Sequence, residues 1–316
     1  MSFVVLFVLS ELFAQHRDAG TTVYSFLDVS LGSRPTALGN AYTALADDIY
    51  ALFYNPAGLY AIRKPHYLVT YQNYVSDMNS GLIGAAQPFR DQGVIAAGLS
   101  YLDFGLFEGL DLEGLPTGKF HPLSLVFYSG FARMWMEDRL AAGAVLKLIY
   151  SAIERYNSVG FAVDVGLKYH PLTFKKLWLG ATLKQIGYQV TPYDDERFPL
   201  PLNTQLGIAY LLSPRPITWL TFEVSKDFES FLLYKAGLEW HTHRNFCLRA
   251  GYKTTTSELL HFKDRLAGDS FSSDPPDLLD DFTFGFGTKG RKFNFDVSLS
   301  TFSVLSTNYQ LSLIFK

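Results

Sequence analysis

Asp47 and Asp48 stand side by side, and paired carboxylates are the raw material of general acid–base chemistry or of a calcium site. Successive side chains diverge, and no acidic partners follow at ligand spacing, so the pair reads as capping and hydrogen-bonding groups. Glu239, His241 and His243 would share one face of a strand that ran through all three, which would make a facial metal set. Residue 243 falls in a turn, and the set breaks there. Gly32 and Gly39 do not frame a phosphate loop, because no Lys-Ser/Thr pair follows the second glycine. Cys247 is the only cysteine, which excludes an internal disulfide and a thiolate cluster, and the seven histidines show neither triad order nor a nucleophile elbow. The chain is therefore read as a non-enzyme without metal, cofactor or catalytic residue.

The elements that must carry these residues follow from composition. The 316 residues hold 27 basic and 30 acidic side chains, a net charge of −3, which gives no basic excess for nucleic acid. With 48% hydrophobic and 16% aromatic residues the chain has enough apolar surface to fold. Its 18% of charged residues is low against the roughly 25% of soluble domains, so apolar side chains are expected to face outward.

From Tyr67 onward, short segments alternate with period two between Gly, Pro, Asn and Asp breaks. Val159, Phe161, Val163, Val165, Leu167 and Tyr169 fall on one face, while Gly160, Ala162, Asp164, Gly166 and Lys168 fall on the other. The alternation predicts fourteen strands: 67–75, 80–89, 93–104, 121–133, 139–150, 158–169, 177–186, 202–212, 217–226, 231–241, 245–253, 282–289, 292–301 and 308–316. An even number of strands of this length, apolar on one side only, predicts an all-β fold, a 14-stranded antiparallel transmembrane β-barrel in a bacterial outer membrane. Its apolar face would meet lipid, since fourteen strands enclose more space than side chains can fill.

Connection lengths point the same way. Polar turns such as 90–92, 213–216 and 290–291 alternate with the long stretches 105–120, 187–201 and 254–281, as short periplasmic turns alternate with longer outer loops. Arg90, Arg133, Arg139, Lys175, Lys176, Arg215, Arg244, Lys289, Arg291 and Lys292 crowd the short turns. They read as a match to lipid phosphates, with a periplasmic docking face as the alternative. Trp178, Trp219 and Trp240 are expected in interfacial girdles. Residues 1–15 read as a signal peptide, apolar but without the usual basic start. Residues 16–66 lack alternation and are expected to enter the lumen as a plug, leaving 67–316 as the barrel.

The block Gly32-Ser33-Arg34, Ala37-Leu38-Gly39, Ala44 to Asp48 and Asn55-Pro56-Ala57-Gly58-Leu59 resembles the N-terminal signature of the PorV/PorQ family, relatives of the FadL transporters. Tyr24 to Leu27, Tyr71 to Tyr74, and Gly105 to Gly109 leading to Phe120 look like its PorQ branch. The resemblance implies a FadL/PorV-like barrel with an N-terminal plug, in which Gly32, Arg34, Gly39, Asp47, Asp48, Asn55, Pro56 and Gly58 serve structure and gating. It also implies a role as an interaction component of a type IX-like protein-secretion system, with secretion proteins or cargo as partners besides outer-membrane lipid. The alternative is FadL-like passive transport of a hydrophobic small molecule.

Overall fold

The computed structural model describes residues 22–75, 77–111, 113–136, 139–227, 232–242, 245–255, 282–302 and 306–316. The expected leader, His243 and the stretch 256–281 lie outside them.

The strands are β1 (His66–Asn73), β2 (Asn79–Phe89), β3 (Gly93–Asp103), β4 (Phe107–Leu110), β5 (Pro116–Phe120), β6 (Leu123–Trp135), β7 (Leu140–Ile153) and β8 (Tyr156–Tyr169). They continue with β9 (Leu177–Thr191), β10 (Asn203–Pro214), β11 (Ile217–Asp227), β12 (Leu233–His241), β13 (Phe246–Thr255), β14 (Phe282–Lys289), β15 (Phe293–Phe302) and β16 (Ser306–Phe315). All but β4 and β5 form one closed antiparallel barrel of fourteen strands, in chain order, with β16 returning to β1. Closure pairs Tyr67 with Phe315 and Asn73 with Tyr309. Among the described residues no helix is long and apolar enough to cross a membrane.

Alternation sets the two faces. On β8, Val165, Leu167 and Tyr169 point outward, exposed by 40–48%, while Asp164 and Lys168 point into the lumen and are buried. Ile83, Leu99, Phe127, Leu146, Ile208, Phe222 and Leu248 continue the outward apolar band around the barrel. A one-residue slip would turn this band inward and set Lys168 and Glu239 in lipid, which fixes the register.

The structure departs from the sequence reading in three places. The stretch 105–120 is not a plain loop: β4 and β5 pair as a separate hairpin, with Phe107 stacked on Phe120 at 5.7 Å. Strand β9 is longer than expected and bulged, with register shifts against β8 near Gly160 and Asp164. Trp178 and Trp219 are not girdle residues: they share the inward parity of Gly180 and Thr221, lie edge to face at 4.9 Å, and pack on the core. Trp240, 41% exposed, does face outward.

The core lies inside the barrel and is supplied largely by the segment 23–62. Leu38, Tyr42, Ile49, Tyr50, Leu52 and Leu59 are completely buried, against inward Val126, Tyr128, Val145 and Ile149. Each such Leu or Ile contributes about 1.5–3 kcal/mol by leaving water.

Candidate functional site: the lumen and its N-terminal segment

The N-terminal segment is a series of single turns, each fixed by a local device. Gly32 precedes the turn Ser33–Thr36 with φ +96°, and a Cβ there would stand 2.3 Å from the Tyr50 ring. Asp48 caps Ile49–Leu52 by accepting the Tyr50 N–H at 2.9 Å. Asn55 caps Pro56–Ala61 by accepting the Ala57 N–H at 3.1 Å, with Pro56 at the first position.

Arg34 is the centre of the site. Its Nε and Nη2 donate to Oε2 and Oε1 of Glu239 at 2.7 and 2.9 Å, and its Nη1 donates to Asp47, to Asp48 Oδ2 at 2.7 Å and to Tyr42 Oη at 3.0 Å. Asp47 and Asp48 therefore do not diverge: they converge on one nitrogen. Burial, the largest single influence, would raise the Asp47 carboxyl, but the charges of Arg34, Lys289 and Lys168 and the Arg34 hydrogen bond together hold that carboxyl below its usual range. From Glu239 the network runs into the wall, as Arg249 Nε donates to Glu239 Oε2 at 2.7 Å and Arg249 Nη1 to Asp296 Oδ1 at 2.6 Å. Opposite charges thus alternate from the segment through β12 and β13 to β15, which is what makes buried ions tolerable.

Glu239, His241 and Cys247 lie within 4.8 Å of one another, but Glu239 already serves Arg34, Arg249 and, at 2.7 Å, His241 Nε2. A metal ion would have to displace two guanidiniums.

Further attachments ring the segment. Lys168 Nζ donates to the carbonyls of Leu45 and Ala46 at 2.9 and 2.6 Å. Glu223, paired with Lys235 at 2.8 Å, accepts the backbone N–H groups of Tyr42 and Thr43. Asn55 Nδ2 bridges Thr43 O at 2.7 Å and Leu167 O at 3.1 Å, and Ser33 meets Ser312 on β16 at 2.8 Å. Gly39, at φ +62°, donates its N–H to Thr283 Oγ1 at 3.0 Å.

The wall makes room with glycine. A Cβ on Gly143, Gly166, Gly180, Gly237, Gly251 or Gly285 would lie 2.0–2.7 Å from an atom of the segment, so six strands admit it at contact distance, four of them against its backbone. Gly58 does the same within the segment, against Ala46 O.

The eight signature residues thus fall into two groups, with one residue apart. Arg34, Asp47 and Asp48 meet directly, with Gly32 against neighbouring Tyr50. Asn55, Pro56 and Gly58 meet the Thr43–Ala46 backbone and β7–β8, and Gly39 stands alone against β13 and β14. Sequence reasoning missed Arg249, Asp296, Lys168, Glu223 and Lys235. The available signal was charge at inward parity in strands that cross lipid.

Towards the longer loops a chamber of about 150 Å³ remains, lined by Leu27, Leu31, Phe53 and Tyr128 together with Lys147, Lys184, Lys235 and Lys253, and Lys147 sits across from Tyr128 on the neighbouring strand with its Nζ 5.7 Å from that ring. Asp28 and Asp227 face the lysines. Enclosure in the lumen pushes the Asp28 carboxyl up to about 6, against the pull of Lys184 and of the Gln185 amide that donates to it at 3.3 Å.

No protein-family model and no curated protein matches the chain. Solved structures do. The CymD monoaromatic hydrocarbon channel superposes with TM-score 0.59 at 12% identity, over 91% of this chain and 98% of that one. The fold is that of an outer-membrane β-barrel. The Pseudomonas putida toluene transporter TodX gives 0.56 at 12% identity, over 91% and 97% of the two chains. A Pseudomonas aeruginosa FadL homologue gives 0.56 at 10% identity, over 90% and 98%. At such identities the likeness is one of architecture.

Proposed function

We propose that this barrel is a passive outer-membrane transporter of hydrophobic small molecules, with residues 16–66 as its plug and the signature Gly32, Arg34, Gly39, Asp47, Asp48, Asn55, Pro56 and Gly58 holding that plug in place. The observation that carries the reading is the chamber beside the segment. Leu27, Leu31, Phe53 and Tyr128 give it apolar surface among its charged residues, and the segment beside it is held to the barrel by polar bonds that water can replace. Likeness to hydrocarbon channels along nine-tenths of the chain supports it. The competing expectation from sequence, a PorV/PorQ-type component of a type IX-like secretion system, draws no support from these neighbours, which are channels and transporters.

The test is entry of toluene into proteoliposomes. Faster entry than into protein-free vesicles, lost when a disulfide clamps the plug to the wall, supports the reading. Equal rates, together with recovery of envelope secretion proteins on the purified barrel, overturn it in favour of the secretion role.

A further inference from the structure

The basic residues of the short-turn end are not spread evenly. Around β2–β9 the short turns mix signs, with Asp91, Glu137 and Asp138 among Arg90, Arg133, Arg139, Lys175 and Lys176. Where β15, β16 and β1 meet, the basic residues are most numerous and no acid lies among them. Residues 60–68, 288–294 and 313–316 contain five lysines and arginines at 63, 64, 291, 292 and 316, besides Lys289, and no acid. Arg63, Lys64, Arg291, Lys292 and Lys316 are all exposed.

The topology brings them together. Phe315 pairs with Phe293 on one side and Tyr67 on the other, and the next rung is closed by the Lys316 N–H donating to Lys292 O at 2.9 Å. Arg63 is tied back by Nη1 to Tyr60 O at 2.8 Å, and with Lys64 it leads into β1. Inside the barrel, Asp47 and Asp48 are engaged by Arg34, and from the lumen they also face Lys316, so the outer cations Arg63, Lys64, Arg291 and Lys292 carry the excess charge.

Directly above the cations, Phe293, Phe315 and Tyr67 form an outward row on three adjacent strands, exposed by 52, 45 and 54%. This row belongs to the lipid-facing band. A strand rises about 3.3 Å per residue, so the backbones of Lys292 and Lys316 lie one residue below side chains that meet acyl chains, at the rim and with the parity of inward Asn294 and Ile314. That is the depth of phosphate groups, and short turns of such barrels face the periplasmic, phospholipid leaflet.

We infer that Arg63, Lys64, Arg291, Lys292 and Lys316, beneath Tyr67, Phe293 and Phe315, form a binding site for the headgroup of an anionic phospholipid. The cations take the phosphate, and the aromatic row packs on the upper glycerol and acyl segment. The continuity of the cluster with the lipid-facing band favours a lipid over an acidic protein, which would approach from the aqueous side.

Native mass spectrometry of the full chain in detergent, titrated separately with phosphatidylglycerol and phosphatidylcholine, tests this. The wild type is expected to prefer phosphatidylglycerol by about tenfold or more, the scale set by several cations at a headgroup. The K64Q/R291Q/K292Q/K316Q variant should lose the preference, whereas R90Q/R133Q, on the mixed-sign side, should keep it. Unchanged mobility of unheated samples in gel electrophoresis would verify that both variants are folded. Equal affinity of the wild type for the two lipids, or a preference that survives the quadruple substitution, overturns the assignment and leaves the cluster to an acidic protein partner.

Discussion

Arg34 and Glu239, 205 positions apart in the chain, form a bidentate pair inside the barrel, with both carboxylate oxygens within 2.9 Å of guanidinium nitrogens. The pair joins a segment without strands to a wall made of nothing else. It also aligns the two halves of the ion network, since Glu239 is the only carboxylate that touches both Arg34 and Arg249 among the described residues.

Removing Glu239 leaves two buried guanidiniums short of charge. Glu239→Ala should cost about 3–5 kcal/mol, the range for breaking a buried ion pair from one side. Equilibrium unfolding in detergent measures it. A change under about 1 kcal/mol, at the level of exposed pairs, would mean that water already screens the network.

Close packing of the wall predicts a second effect. Gly251→Ala places a methyl 2.0 Å from Gly39 N, so the segment must shift, at about 1–3 kcal/mol. The N-terminal segment should become sensitive to protease while the barrel stays intact. Equal protease resistance in variant and wild type would show that the segment does not rest on this glycine.

Asp28 predicts a pH dependence. Its carboxyl titrates near 6 in the folded protein against an ordinary value near 3.8. The folded state then holds the proton more tightly than the unfolded chain, so this group favours folding below about pH 4 and loses that contribution as pH rises through 6. The melting temperature of Asp28→Asn relative to wild type should therefore rise between pH 4 and pH 7. A difference that is flat across this window would place Asp28 in bulk-like water.

The lipid face makes the last prediction. Ile208, 45% exposed near the middle of β10, meets acyl chains, and Ile208→Arg should destabilise the barrel by roughly 2–4 kcal/mol in bilayers. Refolding into phospholipid vesicles with urea titration reads the difference. A neutral outcome would place this position at the headgroups.

Sequence alone determined the barrel: its strand number, its outward face and the alternation of turns. These are written in a period of two and in breaks at Gly, Pro and Asn, both local properties of the chain. Val165 and Lys168 show it, since each follows its parity to the side the pattern assigns. The Arg34–Glu239 pair, the convergence of Asp47 and Asp48 and the glycine wall were decided only by tertiary structure. Partners 205 residues apart become neighbours only once β16 has closed on β1 and the segment is inside. Trp178 and Trp219 mark the same boundary: their type suggested a girdle, but parity within a closed sheet turned them inward.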